Sequence, residues 1–282
     1  MGERMEKAFI PLLIGKPTDE AIISPEDYVR LIEVMRRRER PELPERAVLS
    51  FRYTGALNVL RELYELETCD FFGTENRIYI FEHKGVRICF TYLPVGAPAA
   101  STVLEELMIL GVKKAIFFGE VGVLRPGIRR WQLILPDKAI RDEGTSYHYQ
   151  KPSVFAYPSR ELFKALEHVL RNAGITYARG AVWTTDAPYR ETKRKRAVFM
   201  KLGAVCVDME AAALFSVAKF RGKEIAALFY AGDLVANKWE PRLGKPADRW
   251  CREVVELSLT CILKALINNR VMTKSPCLPE DL

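Results

Sequence analysis

Val205-Cys-Val-Asp-Met-Glu-Ala-Ala-Ala-Leu-Phe-Ser-Val-Ala-Lys-Phe220 sets two carboxylates around a thioether where an apolar strand gives way to an apolar helix. Asp208 and Glu210 precede a helix-forming alanine run, so at least one acid must face a cleft or find a buried partner. Acids also suit the first turn of a helix, where they meet the positive end of the macrodipole, so the segment alone leaves a helix start and a site both open. Downstream, Lys223-Glu-Ile-Ala-Ala-Leu-Phe-Tyr-Ala-Gly-Asp233 reads as a buried strand ending in Gly-Asp. Ligands of open α/β sheets sit beyond the carboxyl ends of strands. A helix from Ala211 to Arg221 joins the two segments into a β-α-β unit, which brings Asp208, Glu210 and Asp233 to one edge.

The rest of the chain sets limits. With 282 residues and 49% hydrophobic composition it has enough apolar surface for one large α/β domain. Residues 1–45 read as an extension with one helix, Pro25 to Arg38, which starts at Ser24-Pro-Glu-Asp27; residues 46–270 form the domain, and 271–282 a loose tail. A short strand is predicted at Ala47 to Phe51, a helix at Leu57 to Leu66 and a hairpin from Ile78 to Leu93. Strands follow at Ala115 to Phe118 and Gln132 to Pro136, with helices at Ala100 to Leu110, Arg160 to Ala173 and Arg249 to Asn268.

No apolar run reaches transmembrane length and the N-terminus lacks a signal pattern, so a soluble cytoplasmic protein is expected, without membrane partners. Six cysteines stand without a C-x-x-C pair, which points away from zinc ribbons and thiol redox sites; no metal site is predicted. The net charge of +7 suits nucleic acid, but its dense clusters, Arg36 to Arg40 and Lys193 to Arg196, come with no recognition motif and read as solvated faces. Charged residues make up 28% of the chain and glutamine occurs only at 132 and 150, a mix found in thermophiles.

The Val-Asp-Met-Glu-Ala-Ala pattern, its helix and the strand ending in Asp resemble the purine nucleoside phosphorylase and uridine phosphorylase superfamily. Gly96-Ala-Pro98 leading into Leu104-Glu-Glu-Leu107, and the strand to Gly119-Glu-Val-Gly122, agree in order and spacing. Ala139 to Tyr149 and Trp183 to Tyr189 are similar to the uridine phosphorylase branch. The resemblance implies a single three-layer α/β domain, whose mixed, partly barrel-like sheet is flanked by helices. It also implies a homo-oligomer built from dimers, up to a hexamer, and cleavage of a nucleoside N-glycosidic bond by phosphate, with inorganic phosphate as co-substrate and no cofactor.

By the same resemblance Glu210 accepts hydrogen bonds from the ribose hydroxyls and favours the cationic sugar, while Met209 packs under the ribose. Asp233 supplies a proton towards the base, a contribution of about 10²–10⁴-fold for general acids. Asp208 and Gly122 belong to the nucleoside site, Tyr189 and Phe72 offer stacking surfaces, and Arg190 and Glu191 are candidate base readers. Gly96 is assigned to the phosphate side.

There the sequence departs from the family pattern. Phe51, Gly55, Phe117 and Glu120 fall where glycine, arginine, arginine and a hydroxyl residue hold phosphate. Arg52 and Arg77 are nearby replacements, the latter reaching across a dimer interface. Two lost arginine contacts, at about 1.5–3 kcal/mol each, weaken phosphate binding by on the order of 10²–10⁴. Glu120 opposes phosphate by roughly 4 kcal/mol at 4 Å and an effective dielectric near 20. Three expectations follow: a phosphorylase with a rearranged anion site, a nucleosidase using Glu120 as general base, or a nucleoside-binding member of the fold without turnover. A Glu120–Arg52 ion pair is the structural alternative to a catalytic Glu120.

Overall fold

The computed structural model describes residues 11–72, 77–242 and 247–267. The proposed tail at 271–282 lies outside them. Eleven strands form one mixed sheet: β1 Arg46–Ser50, β2 Glu67–Cys69, β3 Ile78–His83, β4 Val86–Tyr92, β5 Lys114–Val123, β6 Leu133–Asp142, β7 Phe155–Ala156, β8 Tyr177–Thr185, β9 Ala204–Asp208, β10 Glu224–Val235 and β11 Trp239–Glu240. Seven helices flank it among the described residues: α1 Pro25–Arg36, α2 Ala56–Leu63, α3 Ala97–Ile109, α4 Arg160–Asn172, α5 Lys193–Lys201, α6 Ala211–Phe220 and α7 Ala247–Ile267.

Two parallel groups make up the sheet. β4, β1, β5 and β10 run one way; β6, β8 and β9 run together, and they meet the first group antiparallel at β10–β6 and β5–β9. Five strands, β5, β10, β6, β8 and β9, therefore close on themselves as a barrel. The closing seam is short, with only Gly122↔Val207 and Val123↔Cys206 paired near the carboxyl ends of β5 and β9. The Leu124 amide extends the seam by one bond, to the Val205 carbonyl at 2.9 Å. The fold is the α/β, partly barrel-like architecture expected above.

Burial follows the hydropathy pattern. β9 and α6 are buried almost throughout, as an apolar strand and an apolar helix demand. α1 begins as its sequence predicts: the Ser24 hydroxyl accepts the Asp27 amide proton at 3.2 Å, and Asp27 in return accepts the Ser24 amide proton at 2.9 Å.

Several sequence readings need correction. β5 and β6 are each ten residues long, about twice the predicted strands. β6 continues through Pro136, which cannot donate to the ladder, by way of a register shift between Pro136 and Lys138. β8 and α5 had no predicted counterpart. The basic run Lys193 to Arg196 is the first turn of α5 and is solvated only in part: Lys193 and Arg194 are exposed, but Lys195 holds Asp142 at 2.7 Å, and Arg196 donates to the Leu124 and Val235 carbonyls at 2.5 and 2.8 Å.

Asp233 does not end its strand. It sits in a bulge where two residues of β10, Gly232 and Asp233, lie opposite one of β5, Gly122, between the pairs Ala231↔Val121 and Leu234↔Val123. A bulge re-aims the side chain it carries. Here Gly122 gives it room, since a Cβ at that position would stand 3.3 Å from Asp233 Oδ1 and 3.0 Å from Val207 and Val235.

Candidate active site

A cavity of about 760 Å³ opens at the barrel seam, between the loop after β1, the ends of β5 and β9, the β10 bulge and residues 188–193. Of the residues singled out in the sequence, Glu120, Gly122, Tyr189, Asp208, Met209, Glu210 and Asp233 border it. Arg52, Arg77, Gly96 and Arg190 do not.

Glu210 occupies the N-cap position of α6, its side chain turned to other partners, and is 6% exposed. Its Oε1 accepts the Gly96 amide proton at 2.6 Å and its Oε2 that of Met209 at 3.3 Å. Gly96 has φ 103°, a conformation that favours glycine, and turns its N–H onto the carboxylate just before α3. Its visible role is thus to orient Glu210. Asp208, also buried, accepts from the Thr184 hydroxyl at 2.7 Å and from the Ala211 and Glu210 amides at 2.7 and 3.3 Å, which anchors the start of α6. Burial raises the pKa of both acids, and the Asp208 charge adds to the rise at Glu210, while these hydrogen bonds oppose it. Met209 lies on the cavity wall between them.

Across the cavity, the Glu120 side chain lies on the bare backbone of Gly232, where any Cβ would collide with its carboxylate. Its partner is Arg130 and not Arg52: Arg130 Nη2 stands 3.9 Å from Glu120 Oε1. Arg130 is itself held by the Pro241 carbonyl at 2.9 Å and lies over the Trp131 ring at 4.2 Å. Trp131 takes a left-handed φ of 67° and donates its amide to Ala231 at 2.8 Å, which fixes this arginine beside the bulged strand. Burial raises the Glu120 pKa; Arg130 opposes that and Asp233 adds to it. Arg52 instead approaches the Tyr92 ring at 6.0 Å, and Arg77 stands before β3, its carbonyl taking the Thr91 hydroxyl proton at 3.0 Å.

Asp233 Oδ2 accepts the indole proton of Trp239 from the short strand β11. Glu191 borders the cavity too, its carboxyl pushed up to about 7 by burial and by Asp233. Tyr189 is fully exposed on the cavity wall, and Arg190 is not among the residues that border the cavity. Trp239, Tyr53 and Arg130 were not singled out in the sequence. Only the arginine pair that follows Pro126-Gly127, in Arg129-Arg130-Trp131, marks the last of them.

The region expected to hold phosphate is aromatic. Phe117 is wholly buried, packed edge-on against Phe215 and Phe229 with centroids 6.1 and 5.4 Å away. Phe51 stacks on Tyr53 at 5.7 Å with planes 9° apart, and this pair lies on Gly119, where a Cβ would stand 2.8 Å from the Phe51 ring. Among the described residues bordering the cavity, five are carboxylates, Glu120, Glu191, Asp208, Glu210 and Asp233, and Lys193 is the one cation.

The family model described as the phosphorylase superfamily matches residues 49–268. The chain belongs to the phosphorylase superfamily. It is 29% identical over 194 residues to a uridine phosphorylase of Thermococcus kodakarensis, covering 63% of this chain and 68% of that one. It is 26% identical over 192 residues to a DeoD-type purine nucleoside phosphorylase of Streptococcus thermophilus, covering 66% and 87%. Among solved structures, the uridine phosphorylase of Vibrio fischeri ES114 superposes with TM-score 0.70 at 25% identity, over 80% of this chain and 92% of that one. A Campylobacter jejuni 5'-methylthioadenosine/S-adenosyl homocysteine nucleosidase shares the fold, with TM-score 0.65 at 16% identity over 79% and 98%. No helix among the described residues is long and apolar enough to cross a membrane.

Proposed function

We propose that this superfamily member cleaves the N-glycosidic bond of a nucleoside with water as the attacking group. The observation that carries the choice of water is the cavity wall: five carboxylates, one lysine and no guanidinium among the described residues that border it. A phosphate placed about 4 Å from Glu120 meets a repulsion of roughly 4 kcal/mol at an effective dielectric near 20. Water meets none, and a carboxylate with a raised pKa is a suitable base for it.

In this reading the Glu210 carboxylate, held by the Gly96 amide at 2.6 Å, accepts hydrogen bonds from the ribose hydroxyls. Those donors, and the positive charge that develops on the sugar, favour its ionised form against the cost of burial. Met209 supports the sugar ring. Glu120 removes a proton from the attacking water, and the Arg130 guanidinium 3.9 Å away favours its ionised form against burial. The departing base gains its proton from the Asp233 and Glu191 pair. Asp233 accepts the Trp239 indole proton; Glu191, pushed up to about 7 by burial and by Asp233, is protonated in part at neutral pH and supplies the proton. An acid at the base suits a purine better than uracil.

Phosphorolysis is the second reading, favoured by the two curated relatives above, both named phosphorylases. Lys193 would be its cation at the cavity. The test is release of free base from inosine, adenosine, uridine and methylthioadenosine, each with and without inorganic phosphate. Equal rates without phosphate support hydrolysis; strict dependence on phosphate supports the second reading. No release from any of the four contradicts both.

A further inference from the structure

A second hollow, of about 400 Å³, lies between the segment Lys16 to Tyr28, α3, the short 3-10 turn Thr145–His148 and the end of α6. Small-molecule sites span roughly 300–1,000 Å³, so its size is sufficient for a ligand. The charged residues on its wall are Lys16, Asp19, Glu105, Glu106 and Arg221, with His148 as a further titratable group.

Glu105 is fully partnered. Arg221 holds its Oε1 through Nε at 2.7 Å and Nη2 at 2.6 Å, and the Tyr149 hydroxyl donates to its Oε2 at 2.7 Å. That guanidinium is also fixed over the Phe220 ring at 5.1 Å, so it is not free to turn. Lys16 and Asp19 are exposed, and the Asp19 carboxylate already takes the Lys16 backbone proton at 2.7 Å.

Glu106 remains. It is 7% exposed, borders the hollow, and has no hydrogen-bond or ion-pair partner among the described residues. Burial, and then its neighbour Glu105, push its carboxyl up to about 7, the response of an acid shut away without a cation. Around it the wall is apolar and aromatic, with Ile23, Pro25, Tyr28, Tyr149 and Phe220.

We propose that this hollow binds a small organic cation, a primary ammonium or amidinium on an apolar or aromatic body, with Glu106 as its counter-ion. An ammonium brings donors and a charge to the one wall carboxylate that lacks both. The aromatic faces hold the ligand body and attract the same charge. A neutral or anionic ligand would leave Glu106 buried and unpaired, which is unfavourable. Because Lys16 to Tyr28 supplies one wall, occupancy ties the N-terminal segment to α3.

Titration calorimetry of the full chain with 2-phenylethylamine, and with 2-phenylethanol as its uncharged counterpart, tests this. The amine is expected to bind at least about tenfold more tightly than the alcohol, a difference of about 1.4 kcal/mol. Glu106→Gln should abolish that preference, and Phe220→Ala, at a partly exposed ring, should weaken the amine without unfolding the chain. Glu120→Gln should bind the amine as the parent does, which separates this hollow from the catalytic cavity. No binding of the amine, equal binding of amine and alcohol, an unaffected Glu106→Gln, or loss of binding in Glu120→Gln instead would each overturn the proposal.

Discussion

Glu120 is the residue on which hydrolysis and phosphorolysis divide. As the general base for water, its replacement in Glu120→Gln lowers kcat by about 10²–10⁴-fold with little change in KM. If phosphate were the nucleophile, the same change would remove a repulsion, and phosphate-dependent turnover would rise. Arg130→Met gives a subtler signature. Losing the cation 3.9 Å away lifts the Glu120 pKa further above the ordinary carboxylate range, so the acid limb of the kcat/KM profile moves to higher pH. A merely structural loss would lower the plateau and leave the limb in place. Glu210→Gln is expected to lower kcat and raise KM together, since the same carboxylate meets ribose and developing cation; kinetics equal to the parent's would remove it from the ribose site. Met209 and Glu210 were legible in the sequence because they punctuate the passage from β9 to α6, and Asp233 because Gly-Asp follows an apolar run. Arg130 was not. Its position depends on a left-handed Trp131 and a contact across the sheet, neither of which leaves a local pattern.

At the scale of elements, bare backbone decides which side chains reach the cavity. Gly232 leaves the space that the Glu120 side chain fills, Gly122 admits Asp233, and Gly119 accepts the Phe51 and Tyr53 rings. Gly232→Ala should therefore displace Glu120 and lower kcat nearly as far as Glu120→Gln does, at a stability cost of about 1–3 kcal/mol for overpacking. Steady-state rates and denaturant midpoints on the same sample separate the two effects; full activity with a displaced midpoint would contradict the assignment. The sequence marked β9, α6 and most of β10 by their apolar runs. The bulge that re-aims Asp233 was invisible, because it arises from mismatched pairing of β10 with β5 and not from either strand alone. β8 was missed for a related reason: its first half, Tyr177 to Gly180, is only partly buried and gains its place through β6 and β9.

On the scale of the whole molecule, the family and its barrel were readable from five segments in register, whereas the charge balance of the cavity needed the closed seam that gathers distant acids. Among the described residues six carboxylates, at Glu106, Glu120, Glu143, Glu191, Asp208 and Glu210, have pKa values raised in the fold, chiefly by burial. An acid raised on folding favours the folded state below its unfolded value, about 4, and loses that contribution as pH rises through the folded value, about 7 for Glu106 and Glu191. The ligand-free chain should thus melt at a higher temperature near about pH 5.5 than near about pH 8; the reverse order in scanning calorimetry would show these acids paired in solution. The central claim, attack by water, is tested most directly by running a purine nucleoside to completion in ¹⁸O-labelled water with inorganic phosphate present, and analysing the sugar product. The account predicts free ribose formed at a phosphate-independent rate, with ¹⁸O at C1 in samples quenched before ring-opening exchange. Ribose 1-phosphate without the label would contradict it.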